Sequence, residues 1–333
     1  MWWEAAAGAA LAGLLLYRWL TRNFDYWSKR GVAGPTPILF FGNAKDTTYR
    51  RTTYYAFFED NYNAYPKEKI VGLVRMWHPC VLIRDLDLIQ HVMIKDFDNF
   101  VDRGFGFSET GLGMNLFNVD GDSWRVLRSR LSPIFSSGGF ETSASTVSFL
   151  LHQLALNQDI QERVVREIDR VLMEHGGDLT YESLKGMPYL DQVVKETLRM
   201  YPVIDPLSRR ALRDYHLPGA GVVLPAGMPV LVSVRGIHYD PKYYPQPHTF
   251  DPDRFTTDNV KKRHPCAYLP FGLGPRNCVG MRFAHIQTRV CVIKLLRKYR
   301  VETSKETRDI EFDTAKPILG SKYGIPLKIV GRN

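Results

Sequence analysis

The sequence predicts a mainly α-helical fold with smaller β-sheets, in the α+β class. Long helical patterns and shorter β-rich runs support this prediction. The helical patterns cover residues 140–156, 159–175, 189–200 and 282–298. The β-rich runs cover residues 71–77, 80–84 and 221–233. The chain shows no internal repeat or low-complexity tract, so we expect packed elements rather than a repeat array.

In chain order, the first half opens with a helical pattern over 54–65, which a proline ends. The β-rich runs on either side of His78-Pro79 predict a hairpin, and apolar residues then return to helical spacing over 86–95. Asp122 is placed to cap a further helix that starts at Ser123. A strand pair followed by helices is typical of an α+β fold.

In the second half, Asn157 separates the helical patterns over 140–156 and 159–175, and Pro202 follows the pattern over 189–200. Residues 221–233 predict two strands joined by a Pro-Ala-Gly turn. The stretch 240–270 is rich in Pro, Asp and Tyr and has little periodicity, which predicts an ordered meander or a long loop.

Composition and charge narrow the class of protein. The 333 residues are 44% hydrophobic, which is ample for a buried core in one large domain or two ordinary ones. The net charge of +9 favours an anionic partner, but the basic residues are scattered through polar segments, which argues against a nucleic-acid arm. An acidic redox protein or a membrane surface fits the charge equally well. The four cysteines form no CxxC pair, so we expect them to be reduced, in a cytosolic compartment.

The N-terminus predicts a membrane anchor over residues 1–20. This stretch is almost wholly apolar, with Glu4 and Arg18 as interruptions, and it is just long enough to span a bilayer. Basic residues follow it, so the positive-inside rule places the rest of the chain in the cytoplasm. A cleaved signal peptide is the alternative, although no basic residue precedes the apolar run. The Pro-rich, basic stretch 21–37 predicts a stiff hinge.

One loop concentrates the chemistry of the chain. It runs from Phe271 to Gly280, holds Cys278 and leads into the last helical pattern. Unpaired backbone N–H groups and the helix macrodipole favour a thiolate over a thiol at such a position. Gly274 and Gly280 allow the backbone to fold tightly round the sulfur. Arg276 offers a cation for a carboxylate, and Phe271 could shield one side. The alternative is that Cys278 is a small buried hydrophobic residue.

The spacing Phe-x-x-Gly-x-Arg-x-Cys-x-Gly resembles the haem-binding loop of the cytochrome P-450 family. The resemblance implies that Cys278 is the axial thiolate ligand of the iron of haem b. It also implies a monooxygenase that inserts one oxygen atom from O2 into a lipophilic small molecule. NADPH would supply the electrons through cytochrome P-450 reductase, and cytochrome b5 is a further expected partner. The haem domain would lie on the cytoplasmic side of the endoplasmic reticulum membrane, with no nucleic acid involved.

Three charged residues match two further signatures of that family. Glu196 and Arg199 lie three apart on one helical face, and by themselves they fit an ordinary solvated ion pair. In the resemblance, Glu-x-x-Arg is the second signature and Phe250-Asp-Pro-Asp-Arg-Phe255 is the third. Arg254 would then complete a structural Glu-Arg-Arg network that locks the meander onto the haem-loop side, and removing one member would strand buried charge.

Several further residues resemble partners of the haem propionates in the family. Trp124 and Arg128 fit the Trp-x-x-x-Arg of its third main helix. Arg103 and Arg209 occupy positions similar to two other propionate partners, and Arg276 is the clearest candidate. Each charge-assisted bond would offset the burial of the opposite charge. The plainer alternative is core packing for Trp124 and a solvated surface charge for Arg103 and Arg209.

Gly139-Phe-Glu-Thr142 resembles the oxygen-activating segment of the family's central helix. In this resemblance Thr142 and Glu141 deliver protons through water, and Gly139 leaves room for the oxygen. Ser136 or Ser137, directly upstream, fits equally well as the cap of an ordinary helix. Both interpretations remain open.

The chain departs from the family at one internal point. Its first 137 residues most resemble microsomal insect members, in which a long series of helices follows the segment that matches 131–137. Here the flanks abut between about Ser137 and Gly139, so residues 38–333 resemble an incomplete haem domain. It lacks the helices between the third main helix and the middle of the central helix. The missing block supplies the roof of the substrate pocket, so we expect impaired activity. The alternative is a non-catalytic, membrane-anchored remnant or splice product without turnover.

Overall fold

The computed structural model describes residues 2–104, 116–131, 140–316 and 318–332. Its α-helices are α1 (Trp2–Thr21), α2 (Lys45–Thr48), α3 (Tyr54–Ala64), α4 (Leu86–Gln90), α5 (Gly121–Leu131), α6 (Phe140–Leu156), α7 (Gln158–Glu174), α8 (Tyr181–Lys185), α9 (Pro188–Met200), α10 (Val234–His238), α11 (Thr257–Lys262) and α12 (Met281–Leu296). Its strands are β1 (Ile70–Arg75), β2 (His78–Ile83), β3 (Leu207–Arg210), β4 (Tyr215–Leu217), β5 (Val222–Leu224), β6 (Pro229–Val232), β7 (Tyr299–Thr303) and β8 (Leu327–Gly331). The predicted α+β class, with small sheets among helices, is confirmed.

The chain divides into two compact units. The first, which we call the sheet unit, comprises residues 1–121 and 206–236. The second, which we call the helical unit, comprises residues 122–205 and 237–333. Each unit therefore combines two separate stretches of sequence.

The sheet unit contains a four-stranded sheet in the order β1-β2-β6-β3. The β1–β2 hairpin was predicted, but its turn was placed wrongly at His78-Pro79. These residues begin β2. The turn is formed by Met76 and Trp77, and Met76 adopts a φ of 56°. Proline is tolerated there because β2 pairs with β6 only through Val81 and Leu82, so the missing N–H costs no bond on that side.

One other prediction for the sheet unit needed correction, and one is confirmed. The helix expected over 86–95 stops at Gln90 and continues as one π-helical turn over His91–Lys95. Asp85 caps the N-terminus of α4, because its carboxylate accepts a hydrogen bond from the Leu88 amide at 3.0 Å. The two strands within 221–233 exist, but β5 pairs with β4 while β6 joins the larger sheet. A Pro-Ala-Gly turn therefore connects two sheets here.

The helical unit contains α6, α7, α9 and α12, whose bounds match the predicted patterns within two residues. Asn157 marks the break between α6 and α7, as expected. Asp122, by contrast, lies in the first turn of α5 and does not precede it as a cap. The antiparallel β7–β8 pair was not predicted. The buried Gln161 of α7 hydrogen-bonds both the carbonyl and the amide of Val301 in β7, at 2.7 and 2.8 Å.

The apolar N-terminal stretch forms α1, and its large side chains are solvent-exposed in the structure, for example Trp2 at 91% and Leu15 at 59%. Within the part of the chain that the structure describes, no helix combines the length and apolar character that a bilayer crossing requires. The anchor over 1–20 therefore stays a prediction.

Candidate functional site

The loop ahead of α12 closes on itself through its own backbone. The amide of Cys278 donates a hydrogen bond to the carbonyl of Phe271 at 2.8 Å, and the amide of Asn277 donates to the carbonyl of Gly274 at 3.1 Å. Cys278 is solvent-exposed, three residues before the first residue of α12. The alternative of a small buried hydrophobic cysteine is therefore wrong for this position.

The two glycines expected to shape the loop behave differently. Gly274 has a φ of +74°, in the left-handed region that only glycine enters readily. Gly280 has a φ of −87°, which any residue adopts, and a Cβ added to it would lie 3.9 Å from the Cys278 sulfur, an ordinary contact. Of these two glycines, only Gly274 is required by its backbone conformation. Gly272, which the sequence did not single out, has a φ of +71° and is required for the same reason.

Arg128 of α5 reaches the residue beside the cysteine. Its guanidinium donates to the backbone carbonyl of Asn277 at 2.8 Å and to the Asn277 side-chain oxygen at 2.9 Å. Burial lowers the pKa of Arg128, and the nearby Cys278 partly counteracts this effect. Asn277 was not singled out from the sequence. The only sequence feature that could have pointed to its role is its position between Arg276 and Cys278.

Arg276 is 2% exposed, and its guanidinium carbon lies 4.9 Å from the centre of the Trp124 ring. Trp124 is itself 4% exposed on α5. Contact between a cation and the face of an indole is favourable, most of all where both are removed from water. The buried Trp124 ring therefore packs in the interior and supports the Arg276 guanidinium through the same contact.

The ring of Phe271 lies against α12. Its centre is 5.2 Å from the ring centre of His285, and the two planes are tilted by 44°. His285 in turn lies 3.9 Å from a carboxylate oxygen of Asp191 on α9. Burial lowers the pKa of His285. One face of the loop is therefore supported by a half-buried polar cluster that links α9 and α12.

Glu196 and Arg199 form a fully buried ion pair on α9. Arg199 donates from Nε and from Nη2 to the two oxygens of Glu196, at 2.7 and 2.8 Å, and both side chains are 0% exposed. The Nε of Arg254 lies 3.4 Å from Glu196, and the amide of Asp251 donates to the same carboxylate at 3.0 Å. Burial raises the pKa of Glu196, and its hydrogen bonds and charge attraction to Arg199 oppose that shift.

The same network fixes the meander. Arg199 also donates to the backbone carbonyls of His238 and Pro247, both at 2.8 Å. Arg254 donates to the carbonyl of Gln246 at 2.9 Å. The alternative of a solvated surface pair is excluded for Glu196 and Arg199, because both side chains are 0% exposed.

Arg103 and Arg209 belong to the sheet unit. Arg103 is partly exposed, and its guanidinium carbon lies 3.9 Å from the ring centre of Phe117. Arg209 lies in β3 and is 2% exposed, with a guanidinium that donates to the carbonyl of Ser208 at 2.8 Å. A solvated surface charge is therefore wrong for Arg209.

Glu141 and Thr142 lie in the first turn of α6. Glu141 is exposed and Thr142 is partly buried. The Thr142 carbonyl accepts a hydrogen bond from the hydroxyl of Thr146 at 2.9 Å. Gly139 and the proposed cap residues Ser136 and Ser137 fall outside the described residues.

The helical unit offers the donor set that a thiolate-ligated haem needs. It has an accessible sulfur at the entrance to a long helix, in Cys278. It also has two partly or fully buried guanidinium groups in the same neighbourhood, in Arg128 and Arg276. Guanidinium groups bind carboxylates well, and haem carries two carboxylates. The residues present are therefore compatible with a haem at this place.

Comparison with known proteins gives a consistent family. The family described as Cytochrome P450 matches residues 32–138 and 133–325. The chain is 36% identical over 484 residues to Cytochrome P450 6B2 of Helicoverpa armigera, covering 95% of this chain and 96% of that protein. It is 36% identical over 486 residues to Cytochrome P450 6B4 of Papilio glaucus, covering 96% and 97%. It is 28% identical over 482 residues to Probable cytochrome P450 6a13 of Drosophila melanogaster, covering 96% and 97%.

The same alignments reveal an internal deletion. Since 95% of 333 residues is about 316, about 168 of the 484 aligned positions have no counterpart in this chain. The two segments of the family match meet at residues 133–138. The sequence prediction of a missing block between Ser137 and Gly139 agrees with this position.

Proposed function

Because the chain belongs to the cytochrome P-450 family, a family of haem-thiolate monooxygenases served by a redox partner, we propose that Cys278 ligates the iron of haem b. The observation that carries this proposal is the exposed Cys278 sulfur ahead of α12, within a loop that Arg128 binds directly. When bound, the haem would supply the redox chemistry that activates O2 for insertion into a lipophilic small molecule. We propose NADPH as the electron source, through a membrane-bound reductase with cytochrome b5 as a second donor.

The residues of the chain hold and orient this group. Cys278 provides a sulfur whose backbone is fixed by the Phe271 carbonyl. We propose that Arg276, Arg128 and Trp124 neutralise or cover the haem carboxylates. The Glu196–Arg199–Arg254 cluster stays apart from the chemistry and keeps the meander in place. Charge-assisted bonds to carboxylates are short and strong, so each contact would lower the cost of burying a propionate.

We also propose that Glu141 and Thr142 move protons toward the reacting oxygen through water. The partial burial of Thr142 and the exposure of Glu141 suit a path that begins in solvent. Both side chains lie within a few residues of the deletion, so the proton path would be open to bulk water. Bound haem would then release reduced oxygen as peroxide, so that NADPH electrons would be consumed without product.

A second candidate function follows from the deletion itself. A chain that lacks about 168 of 484 aligned positions has lost the partners of some apolar surfaces, and Val126 of α5 is 50% exposed. Exposed apolar surface lowers stability and promotes association. The chain would then be a non-catalytic remnant, held at the endoplasmic reticulum membrane by α1.

A ferrous carbon-monoxide difference spectrum of two cysteine variants tests the proposal. Cys278→Ser should abolish the strongly red-shifted Soret band of a thiolate-ligated haem. Cys291→Ser is the matched control, because Cys291 is the other exposed cysteine of the described residues and lies within α12; it should keep that band. A red-shifted band in Cys278→Ser would refute the ligand assignment, and no haem band in the unaltered chain would favour the remnant.

A further inference from the structure

His238 is buried within the helical unit and has no assigned role. It is the last residue of α10, it is 0% exposed, and it lies in a short Gly-Ile-His-Tyr-Asp segment before the meander. Both nitrogens of a buried imidazole need hydrogen-bond partners. The partners of His238 lie in α9 and in the segment that precedes the Cys278 loop.

The two hydrogen bonds of His238 fix its protonation pattern. The amide of Leu269 lies 2.9 Å from Nε2, and a backbone amide can only donate, so Nε2 is the acceptor. The carbonyl of Arg199 lies 2.9 Å from Nδ1, and a carbonyl can only accept, so Nδ1 carries the hydrogen. The ring is therefore neutral, in the Nδ1–H tautomer, with one donor and one acceptor both used.

Aromatic neighbours hold the ring in this orientation. Tyr268 stacks on His238 with ring centres 5.5 Å apart and planes 17° apart, and Tyr244 meets it edge-on at 6.1 Å. The hydroxyl of Tyr268 donates to the carbonyl of Lys195, and that of Tyr244 donates to the carbonyl of Ala267. The ring thus has little freedom to turn away from its two backbone partners.

We propose that His238 is a positioning residue for the Cys278 loop. Its Nδ1 binds the carbonyl of Arg199, and Arg199 donates in return to the carbonyl of His238 at 2.8 Å. Its Nε2 holds the amide of Leu269, two residues before Phe271. The Phe271 carbonyl in turn receives the amide of Cys278. His238 therefore connects the buried ion pair on α9, through hydrogen bonds, to residues 269–271, whose backbone positions the Cys278 sulfur.

The inference rests on the proposed haem-thiolate function and adds a residue to it. If His238 were lost, the Leu269 amide and the Arg199 carbonyl would lose their partners in the interior, which costs more than either bond contributes. The loop would then shift to find new partners, and the sulfur would shift with it. Thiolate ligation is sensitive to such a shift, whereas overall folding depends on the many contacts elsewhere in the unit.

Three substitutions separate the two bonds. His238→Phe keeps an aromatic ring against Tyr268 and removes both hydrogen bonds. His238→Gln keeps a side-chain oxygen about as far from Cα as Nε2, which can accept from the Leu269 amide. His238→Asn keeps a side-chain N–H about as far from Cα as Nδ1, which can donate to the Arg199 carbonyl. His248→Phe is the matched control, because His248 belongs to the same unit and is exposed. The fraction of bound haem with the red-shifted ferrous carbon-monoxide band is measured for each, together with circular dichroism.

Most of the bound haem in His238→Phe should lose the red-shifted band and show that of a non-thiolate haem. His238→Gln should keep more of the red-shifted band than His238→Asn, and His248→Phe should match the unaltered chain. A purely structural residue would lower haem content and thermal stability but leave the thiolate fraction of the remaining haem unchanged. That result, or equal thiolate fractions in the Gln and Asn variants, overturns the inference. If His238→Phe does not fold, the Gln and Asn pair decides alone.

A second readout needs no haem and separates this inference from the proposed function. In the haem-free chain, hydrogen exchange at the Leu269 amide should be at least about fivefold faster in His238→Phe and His238→Asn than in His238→Gln. Alkylation of Cys278 should change in the first two variants, with exposed Cys291 as an internal reference. If the unaltered chain binds no haem through thiolate, the proposed function fails, while unchanged exchange and alkylation would refute the role of His238.

Discussion

The two faces of the candidate site differ in how completely this chain builds them. On the sulfur face, Glu196 and Arg199 are 0% exposed and share two short hydrogen bonds, and the Cys278 loop is closed by its own backbone. On the predicted oxygen face, Glu141 is exposed at the start of α6. The difference follows from the position of the deletion. The Glu196–Arg199 pair and the Cys278 loop consist of residues beyond the join, although Arg128 of α5, which binds that loop, precedes it. The oxygen face, by contrast, borders the join.

This contrast predicts that the deletion affects the oxygen face more than the sulfur face. A buried charge network is stable only when every member is present, because each charge is costly without its partner. The Glu196 network meets that condition with residues from 196 to 254 alone. The remaining scaffold is therefore expected to hold haem even where the chemistry above it is compromised.

The largest effect is expected from Glu196→Ala. The substitution strands the fully buried Arg199, so the free energy of unfolding should fall by about 3–5 kcal/mol and haem incorporation should be lost. The measurements are urea unfolding and haem content. Glu182→Ala is the matched control, because Glu182 is an exposed partner of Lys185 in α8, and it should leave both quantities unchanged. Normal haem content in Glu196→Ala would contradict the network's role.

An intermediate effect is expected from His285→Gln. Burial lowers the pKa of His285 below its ordinary value of 6.5, so the unfolded chain binds this proton more readily than the folded chain. The free energy of unfolding should therefore decrease as the pH falls through 6.5, and it should decrease less steeply in the variant. Urea unfolding at several pH values measures this slope. An unchanged slope would show that His285 does not contribute to acid sensitivity.

The smallest effect on stability is expected on the oxygen face. Glu141→Gln should change the free energy of unfolding by less than about 0.5 kcal/mol, because Glu141 is exposed. Thr142→Ala should have little additional effect on peroxide release if the proton path is already open to water. A strong drop in stability from Glu141→Gln, comparable with that of Glu196→Ala, would remove the contrast between the two faces.

Much of the helical unit could be predicted from local sequence. The bounds of α6, α7 and α9 follow from apolar spacing, from Asn157 at one break and from Pro202 after the end of α9. Sheet partners could not be predicted in the same way, because β6 pairs with β2 across about 150 residues of sequence. Local pattern identifies a strand, but only the packed core selects its neighbour.

The candidate site divides along similar lines. Cys278, Arg276, Glu196 and Arg199 stand in recognisable spacings, so sequence alone singled them out. Asn277 and His238 were missed, since a lone polar residue carries no spacing and shows its role only through the backbone groups it reaches. Gly280 was overestimated for the opposite reason, because its place in a motif suggested a constraint that its φ of −87° does not show.

The most direct test of the contrast is the fate of NADPH electrons in a reconstituted system of the full chain, haem, reductase and O2. Consumption of NADPH above that of the reductase alone requires haem held on the sulfur face. Two electrons and two protons then reduce each O2 to hydrogen peroxide when the oxygen face is open. We expect the amount of peroxide formed nearly to equal the amount of NADPH consumed. Product formed in proportion to NADPH, with little peroxide, would contradict it.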